Sequence, residues 1–326
     1  MATSARNTGP ICWRRSYCAR WKTILVMKFS HFKVVILALA CFFYPVSAAE
    51  FPVVVVVYPE VSMPYRDSFE EILNGIAKRI PAHRVVVVGA PGSGVELLRQ
   101  YSPTHIIALG RAGKTEAMLA AGRASVTCAA LVYPDRECPA ATFGLLPDPG
   151  VLFSRLKLLN PGSKRIFAVY SANQNGWQLP LARAAAAARN LELYAVEVND
   201  SKAAVEAYKK FFANADPATD SVWMLPDNIS GESSAVVPLV LTEAWRRDVL
   251  VFSSAVEHVR RGALFSVIPH FSDYGYAVAD AALRPGQRNE LITLRQFRYI
   301  VNTRAAQHLR VSAADLATFE VVTPRP

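Results

Sequence analysis

The chain has 326 residues, of which 52% are hydrophobic and 19% charged. This much apolar side chain can bury enough surface to offset the loss of chain entropy, which excludes a disordered protein. The formal net charge of +10 suggests nucleic-acid binding, but residues 1–49 contain seven basic residues and no acidic one, and outside that segment 29 basic residues face 26 acidic ones. The basic excess therefore belongs mainly to the N-terminal segment, and we expect no nucleic-acid partner.

Residues 1–49 contain the pattern of a secretory signal peptide. From Met27, a basic stretch precedes an apolar run over residues 34–43, and small residues follow at 46–49. The run is short for a permanent membrane helix, so we expect a cleaved signal peptide and export to the periplasm. We also expect Met27 to be the true start of translation. An uncleaved N-terminal anchor and a lipoprotein attached through Cys41 are the alternatives.

Two of the five cysteines, Cys128 and Cys138, lie beyond the predicted cleavage site. In an exported protein this pair closes a small disulfide loop or remains as two free thiols, and the spacing does not decide between them. The six histidines are scattered without a pair at helical spacing, so we predict neither a metal site nor a cofactor.

Strands and helices alternate through the first half of the chain. The β-branched run at 53–58 is typical of a strand buried on both faces of a parallel sheet. Apolar residues at helical spacing follow over 66–80. The alternation continues with strands at 85–88, 105–109 and 126–132 and helices at 95–101 and 114–122. This order predicts a parallel sheet covered by helices.

The same order recurs about 110 to 120 residues downstream. Strands are predicted at 165–170, 191–198, 221–225 and 249–252, and helices at 151–159, 177–190, 203–213 and 236–247. We therefore predict an α/β fold of two Rossmann-like lobes with parallel sheets, lobe 1 over 50–145 and lobe 2 over 146–262. Residues 263–326 are too few for a further domain, so we expect them to cross back between the two lobes. Together with the first connection between the lobes, they would form a hinge.

Ligands of open parallel sheets bind beyond the carboxyl ends of the strands. The polar and aromatic side chains predicted there suit a small polar or aromatic solute. The candidate ligand-binding residues are Tyr58, Ser62, Arg111, Tyr133, Ser171, Asn173, Asp227, Asn228 and Ser253. Arg111 suits a carboxylate and Asp227 an amine. Asp227 and Asn228 also fit turn or helix-cap chemistry.

Residues 108–115 fit a relaxed phosphate-loop pattern, because they follow a strand, precede a helix and contain Gly113-Lys114-Thr115. Ala108 stands where the stricter pattern requires glycine. A nucleotide-binding enzyme that uses Lys114 is therefore an alternative function. No nucleophile elbow or local Ser/His/Asp arrangement supports catalysis, and we expect a protein that is not an enzyme.

Several segments resemble the substrate-binding proteins of ABC transporters, in particular the tryptophan/tyrosine-receptor-like class. The resemblance is clearest over 150–310, and the segments that carry it are 160–162, 165–170, 225–227, 244–247, 251–253, 258–264 and 301–306. The chain departs from the family pattern at Arg111, where members often have threonine, and at Arg310, where glycine is usual.

The resemblance implies a type I periplasmic binding-protein fold, whose cleft closes on a solute and delivers it to an inner-membrane ABC permease. It carries a binding role over to Ser171, Asn173, Asp227 and Ser253. We expect a monomer whose partners are the solute and the permease. A periplasmic sensor or interaction module with the same fold is a further alternative.

Overall fold

The computed structural model describes residues 52–63, 65–135, 137–232, 234–284, 289–293 and 296–322. The predicted signal peptide and the start at Met27 lie outside these ranges. Within them, no helix combines the length and apolar character needed to cross a membrane.

The first half of the chain contains five strands and three helices in alternation. These are β1 (Val54–Pro59), α1 (Arg66–Arg79), β2 (Arg84–Val88), α2 (Val95–Gln100), β3 (His105–Leu109), α3 (Gly110–Ala120), β4 (Ser125–Leu131) and β5 (Ala141–Gly144). The short β5 is missing from the sequence prediction.

The second half has a similar succession of five strands, with additional helices. Its elements are α4 (Pro149–Leu159), β6 (Arg165–Tyr170), α5 (Ala172–Asn175), a 3-10 turn (Gly176–Gln178), α6 (Leu179–Ala187), β7 (Glu192–Glu197), α7 (Ser201–Ala213), β8 (Asp220–Met224), α8 (Val236–Arg246), β9 (Leu250–Ser253), α9 (Val256–Arg261) and β10 (Phe265–Pro269). The single helix predicted at 177–190 is thus a 3-10 turn followed by a shorter α-helix.

The C-terminal segment adds elements to both halves. It contains α10 (Phe271–Ala282), β11 (Glu290–Ile292), β12 (Phe297–Asn302), α11 (Thr303–His308), α12 (Ala313–Leu316) and β13 (Phe319–Val322).

Two sheets result, and five strands of each share one topology. The first has the order β11-β5-β4-β3-β1-β2 and the second the order β13-β12-β10-β9-β8-β6-β7. Neighbouring strands are parallel except β10 and β12, which are antiparallel. Five strands of each sheet follow the doubly wound order 2-1-3-4-5. The predicted pair of Rossmann-like lobes is confirmed, and we call the first sheet with its helices lobe 1 and the second lobe 2.

Each sheet is buried on both faces, as the β-branched strands predict. In β1, residues 54–57 are almost fully buried, and alternate valines enter opposite clusters. Val54 and Val56 pack towards α1 and α10, whereas Val55 and Val57 pack towards α2 and α3. Lobe 2 has a corresponding cluster on each face of its sheet.

The chain passes between the two sheets three times, after β5, after β10 and after β11. The segment 263–326 therefore contributes to both lobes, and the boundaries at residues 145 and 262 remain predictions. The return helix α10 packs on α1 with backbone contact, because a Cβ at Gly275 would lie 2.0 Å from the carbonyl oxygen of Ile72. A Cβ at Gly75 would lie 1.9 Å from the carbonyl oxygen of Ser272. These two glycines fix the return segment on lobe 1.

The two cysteines whose pairing the sequence did not decide form a disulfide. Cys128 lies in β4 and Cys138 in the loop before β5, and their Cα atoms are 6.1 Å apart. Both residues are fully buried. The bond ties the loop that carries Tyr133 back to its own strand.

Candidate functional site

The carboxyl ends of the strands of the two lobes meet. Tyr133 follows β4 in lobe 1, and its hydroxyl donates a hydrogen bond of 2.9 Å to the carbonyl oxygen of Pro226, which follows β8 in lobe 2. In sheets of this order, the strand order reverses beside β1 in lobe 1 and beside β6 in lobe 2, which is where ligands bind. We call the space between these two edges the cleft.

Lobe 1 contributes predicted residues from three different loops. Tyr58 is half-buried near the end of β1, with its ring centroid 6.1 Å from that of Phe69. Ser62 is exposed, and its carbonyl oxygen accepts hydrogen bonds from the N–H groups of Tyr65 (3.1 Å) and Arg66 (3.2 Å) where α1 begins. Its hydroxyl therefore lies on the exposed loop between β1 and α1.

Arg111 lies in the first turn of α3, directly beyond β3, and is exposed. Gly110 before it has φ +71°, a left-handed conformation that suits glycine and turns the chain from strand to helix. The guanidinium of Arg111 makes no hydrogen bond or ion pair with any residue that the structure describes. Among the described residues of lobe 1, Arg111 is therefore a cation without an acidic partner at the strand edge.

Three predicted residues from both lobes are electrostatically coupled. Burial raises the pKa of the Tyr133 hydroxyl, the Asp227 carboxylate raises this pKa further, and the Arg111 guanidinium lowers it. Tyr133 therefore stays a neutral hydrogen-bond donor at neutral pH. Arg111 of lobe 1 and Asp227 of lobe 2 are therefore both close enough to influence the Tyr133 hydroxyl.

Asp227 is buried and organises the lobe 2 side. Its Oδ1 accepts hydrogen bonds from the N–H groups of Ile229 (2.8 Å) and Ser230. Its Oδ2 accepts from the N–H of Ser171 (3.3 Å), the amide of Asn175 (3.0 Å) and the hydroxyl of Ser230 (2.5 Å). A ligand amine at Asp227 would have to displace one of these five donors, so the helix-cap and turn chemistry considered for this residue fits the structure better.

The network continues into side chains that the sequence prediction did not select. The Gln178 amide, fully buried, donates 2.9 Å to Asn175 Oδ1, and its own oxygen has no partner among the described residues. The buried indole nitrogen of Trp177 likewise has none. A Cβ at Gly144 would lie 3.4 Å from the Trp177 ring, so this ring of lobe 2 reaches lobe 1 beside β5. Sequence spacing offered no signal for this arrangement, because it depends on the short α5 and the 3-10 turn.

Asn173 and Asn228 are both exposed on lobe 2. The amide of Gln174 donates to Asn228 Oδ1, and the N–H of Asn228 donates back to Gln174 Oε1 at 3.2 Å. This reciprocal pair joins α5 to the loop after β8. Asn173 beside it is left facing solvent.

Ser253 is fully buried, with every hydrogen-bonding position of its hydroxyl in use. It donates to the Met224 carbonyl oxygen (3.0 Å) and accepts from the Ala255 N–H (3.0 Å), which leaves its second lone pair for a proton on His258 Nδ1 (2.7 Å). Burial lowers the pKa of His258 to about 4, and the nearby Arg261 lowers it as well. The neutral histidine is a weak base that receives no proton from Ser253, so the pair supports the strand edge rather than nucleophilic chemistry.

Residues 108–115 do not form a phosphate loop. Ala108 and Leu109 belong to β3, and α3 begins at the next residue, so no loop is available to wrap a phosphate. A Cβ at Gly113 would lie 2.5 Å from the Val57 carbonyl oxygen, which explains this glycine by close packing of α3 on β1.

Lys114, the residue on which the nucleotide alternative depends, is held by two carboxylates. Its ammonium lies 2.5 Å from Asp135 Oδ2 and 2.7 Å from Glu137 Oε2. Burial lowers the pKa of Lys114, but the hydrogen bonds and charges of the two carboxylates outweigh this and raise it. The nucleotide alternative therefore loses its structural basis.

Similar structures occur among solved proteins. A substrate-binding protein with adhesive properties from Clostridium difficile, solved in a ligand-free, open form, aligns over 84% of this chain and 100% of its own, with a TM-score of 0.59 and 14% identity. A domain from Streptococcus pneumonia in complex with L-Trp aligns over 82% of this chain and 99% of its own, with a TM-score of 0.48 and 18% identity. At such identities the first likeness shows the fold alone.

Among curated protein sequences, none matches this chain. The family model of the ABC transporter substrate binding protein matches residues 153–319, just over half of the chain. This match covers β6 to β12 and the Asp227 network of lobe 2. The chain therefore belongs to the ABC transporter substrate-binding protein family.

Proposed function

We propose that this protein is the periplasmic solute receptor of an ABC importer. It closes its two lobes on a small polar or aromatic solute and delivers that solute to an inner-membrane permease, whose transport a separate ATPase powers. It acts as a monomer, without catalysis of its own and without a cofactor.

The observation that carries this proposal is the cross-lobe hydrogen bond from Tyr133 to Pro226, at strand edges where doubly wound folds bind ligands. The three chain passages between the sheets restrict relative motion of the lobes to bending. Bending about such a junction opens and closes the cleft without unfolding either lobe.

Export is supported by the leader pattern and by the cysteines. A disulfide between Cys128 and Cys138 is expected in an oxidising compartment and is rare in the cytosol. The small-residue stretch at 46–49 provides the processing site.

The ligand contacts are divided between the lobes. Lobe 1 offers Tyr58, Ser62, Arg111 and Tyr133, and lobe 2 offers the exposed Asn173 and Asn228 with the buried Ser171 behind them. Asp227 and Ser253 act behind this surface, because their hydrogen bonds hold the loops that present it. A solute that touches both lobes binds the closed state more tightly than the open state and so increases the closed population.

A thermal-shift screen of the purified protein against amino acids and other small metabolites tests this function. We expect at least one compound to raise the melting temperature, and small-angle X-ray scattering to report a smaller radius of gyration with it bound. Fractionation of the producing cells should place a shortened chain in the periplasm. A chain of full length retained in the cytosol, or a scattering profile unchanged by every bound compound, contradicts the proposal.

A further inference from the structure

We propose that the cleft selects an anionic solute, whose carboxylate Arg111 binds, and that lobe 2 provides no subsite for a ligand ammonium group. The inference rests on the proposed function and specifies its class of solute. It separates organic acids from amino acids, which carry the same carboxylate together with an ammonium group.

The first argument is the unmatched charge of Arg111. Its guanidinium has no hydrogen bond or ion pair with the described chain, although acidic side chains lie near its helix. Asp135 and Glu137 are both engaged by Lys114, one turn further along α3, at 2.5 and 2.7 Å. No described carboxylate therefore competes for Arg111, and a guanidinium binds a carboxylate through two parallel hydrogen bonds.

The position of Arg111 strengthens the preference for an anion. It occupies the first turn of α3, an eleven-residue helix whose first N–H groups carry partial positive charge. It also lies near Tyr133, whose hydroxyl reaches lobe 2. An anion bound there lies at the junction of the two lobes, where its contacts influence closure.

The second argument is the saturated state of Asp227. A carboxylate has about four lone-pair positions, and this one already accepts five hydrogen bonds from lobe 2. An ammonium group would gain an ion pair only by leaving buried donors such as the Ser171 N–H without a partner, which is costly. Asn173 and Asn228, the exposed polar residues beside it, are neutral.

A carboxylate on the lobe 1 side requires a test of its own. Glu60 is exposed directly after β1, and no hydrogen bond or ion pair within the described chain engages its side chain. If the cleft recognises an ammonium group at all, Glu60 is a free carboxylate on the lobe 1 side. The experiment therefore includes Glu60→Gln.

Matched ligand sets distinguish the possibilities. The full chain is screened by thermal shift and calorimetry against sets that share one side chain, such as 3-phenylpropanoate, L-phenylalanine and 2-phenylethylamine. Corresponding sets carry methyl, isobutyl and indolyl groups, and neutral sugars and inorganic phosphate complete the panel. We expect the acids to bind at least as tightly as the amino acids and the amines not to bind.

Substitution of the arginine provides the second measurement. Arg111→Gln should weaken the best acid by on the order of 10- to 100-fold, because a charge-assisted hydrogen bond is lost. Arg123→Gln is the matched control, since Arg123 is exposed just beyond the other end of α3 and should leave affinity within about twofold.

Two sets of results would overturn the inference while leaving the proposed function intact. In the first, the best ligands are amines or sugars, or Arg111→Gln binds the acid as tightly as the unmodified protein. In the second, an amino acid binds at least tenfold tighter than its deaminated acid, and Glu60→Gln or Asp227→Asn abolishes that preference. If no compound in any class binds, the proposed function itself is contradicted.

Discussion

Replacing Tyr133 by phenylalanine tests whether the contact between the lobes contributes to closure. The substitution removes the hydroxyl that donates 2.9 Å to the Pro226 carbonyl oxygen and leaves the ring in place. A neutral, half-buried hydrogen bond contributes about 0.5–1.5 kcal/mol. The ratio of closed to open protein should therefore fall by about 2- to 10-fold.

Ligand affinity should fall by at least the same factor where the closed state is the minor one in the free protein, since only that state binds productively and Tyr133 is also a proposed ligand contact. Calorimetry with a ligand from the thermal-shift screen measures the change, and small-angle scattering of the free protein reports the expected increase in radius. The free energy of unfolding of each lobe should change little, because the bond lies between the lobes rather than within one.

Tyr194→Phe is the control for this experiment. Tyr194 is exposed on the edge strand β7, and its hydroxyl interacts with Glu192 within lobe 2. This variant should match the unmodified protein in affinity and scattering. The reasoning is refuted if Tyr133→Phe also matches it in both measurements, because the cross-lobe bond then has no part in closure.

Three further substitutions test the fold beneath the site. Gly275→Ala should destabilise the protein by more than about 2 kcal/mol in urea unfolding, since its Cβ would meet the Ile72 carbonyl oxygen, whereas Gly89→Ala, with open space around it, should not. An unchanged midpoint for Gly275→Ala would show that α1 and α10 can separate without cost. Asp227→Asn should cost about 2–4 kcal/mol, because an amide nitrogen then faces donors that the carboxylate accepts, and a smaller loss would mean that the network rearranges. The pKa of His258 is lowered to about 4 by burial, so the unfolded chain binds the proton more readily. The contribution of neutral His258 to the free energy of unfolding should be fully present above pH 6.5. The free energy of unfolding should then fall by about 3 kcal/mol as the pH drops towards 4. His258→Gln should remove that part of the pH dependence, and an unchanged profile would refute it.

The organisation of the lobes could be predicted from the sequence, because strands that are buried on both faces of a sheet require continuous runs of β-branched residues. Residues 53–58 and 165–170 both predict buried strands, and both form them with parallel neighbours. The strands that were missed, β5, β11 and β13, are four, three and four residues long. They have too few residues to display a period, and they form because β5 pairs with β11, and β13 with β12, at the sheet edges.

The candidate site was predictable only as a set of strand ends. Arg111, Tyr133 and Asp227 all follow strands, and the charges of Arg111 and Asp227 both act on the Tyr133 hydroxyl, as the rule for parallel sheets leads one to expect. The sequence did not indicate which role each of these three residues would have. Arg111 and Asp227 carry opposite charges at equivalent strand ends, but one lacks a described partner and the other accepts five hydrogen bonds.

The local sequence pattern was sufficient to predict the alternation of strands and helices, the two similar lobes and the loops that follow the strands. Each of these depends on residues that are close together in the chain. The pairing of Cys128 with Cys138, the backbone contact of α10 with α1 and the saturation of Asp227 had to await the folded chain. Each depends on which atoms meet in space, often across more than 50 residues of sequence, and hydrogen-bond donors recruited over such separations leave no periodic trace in the order of the amino acids.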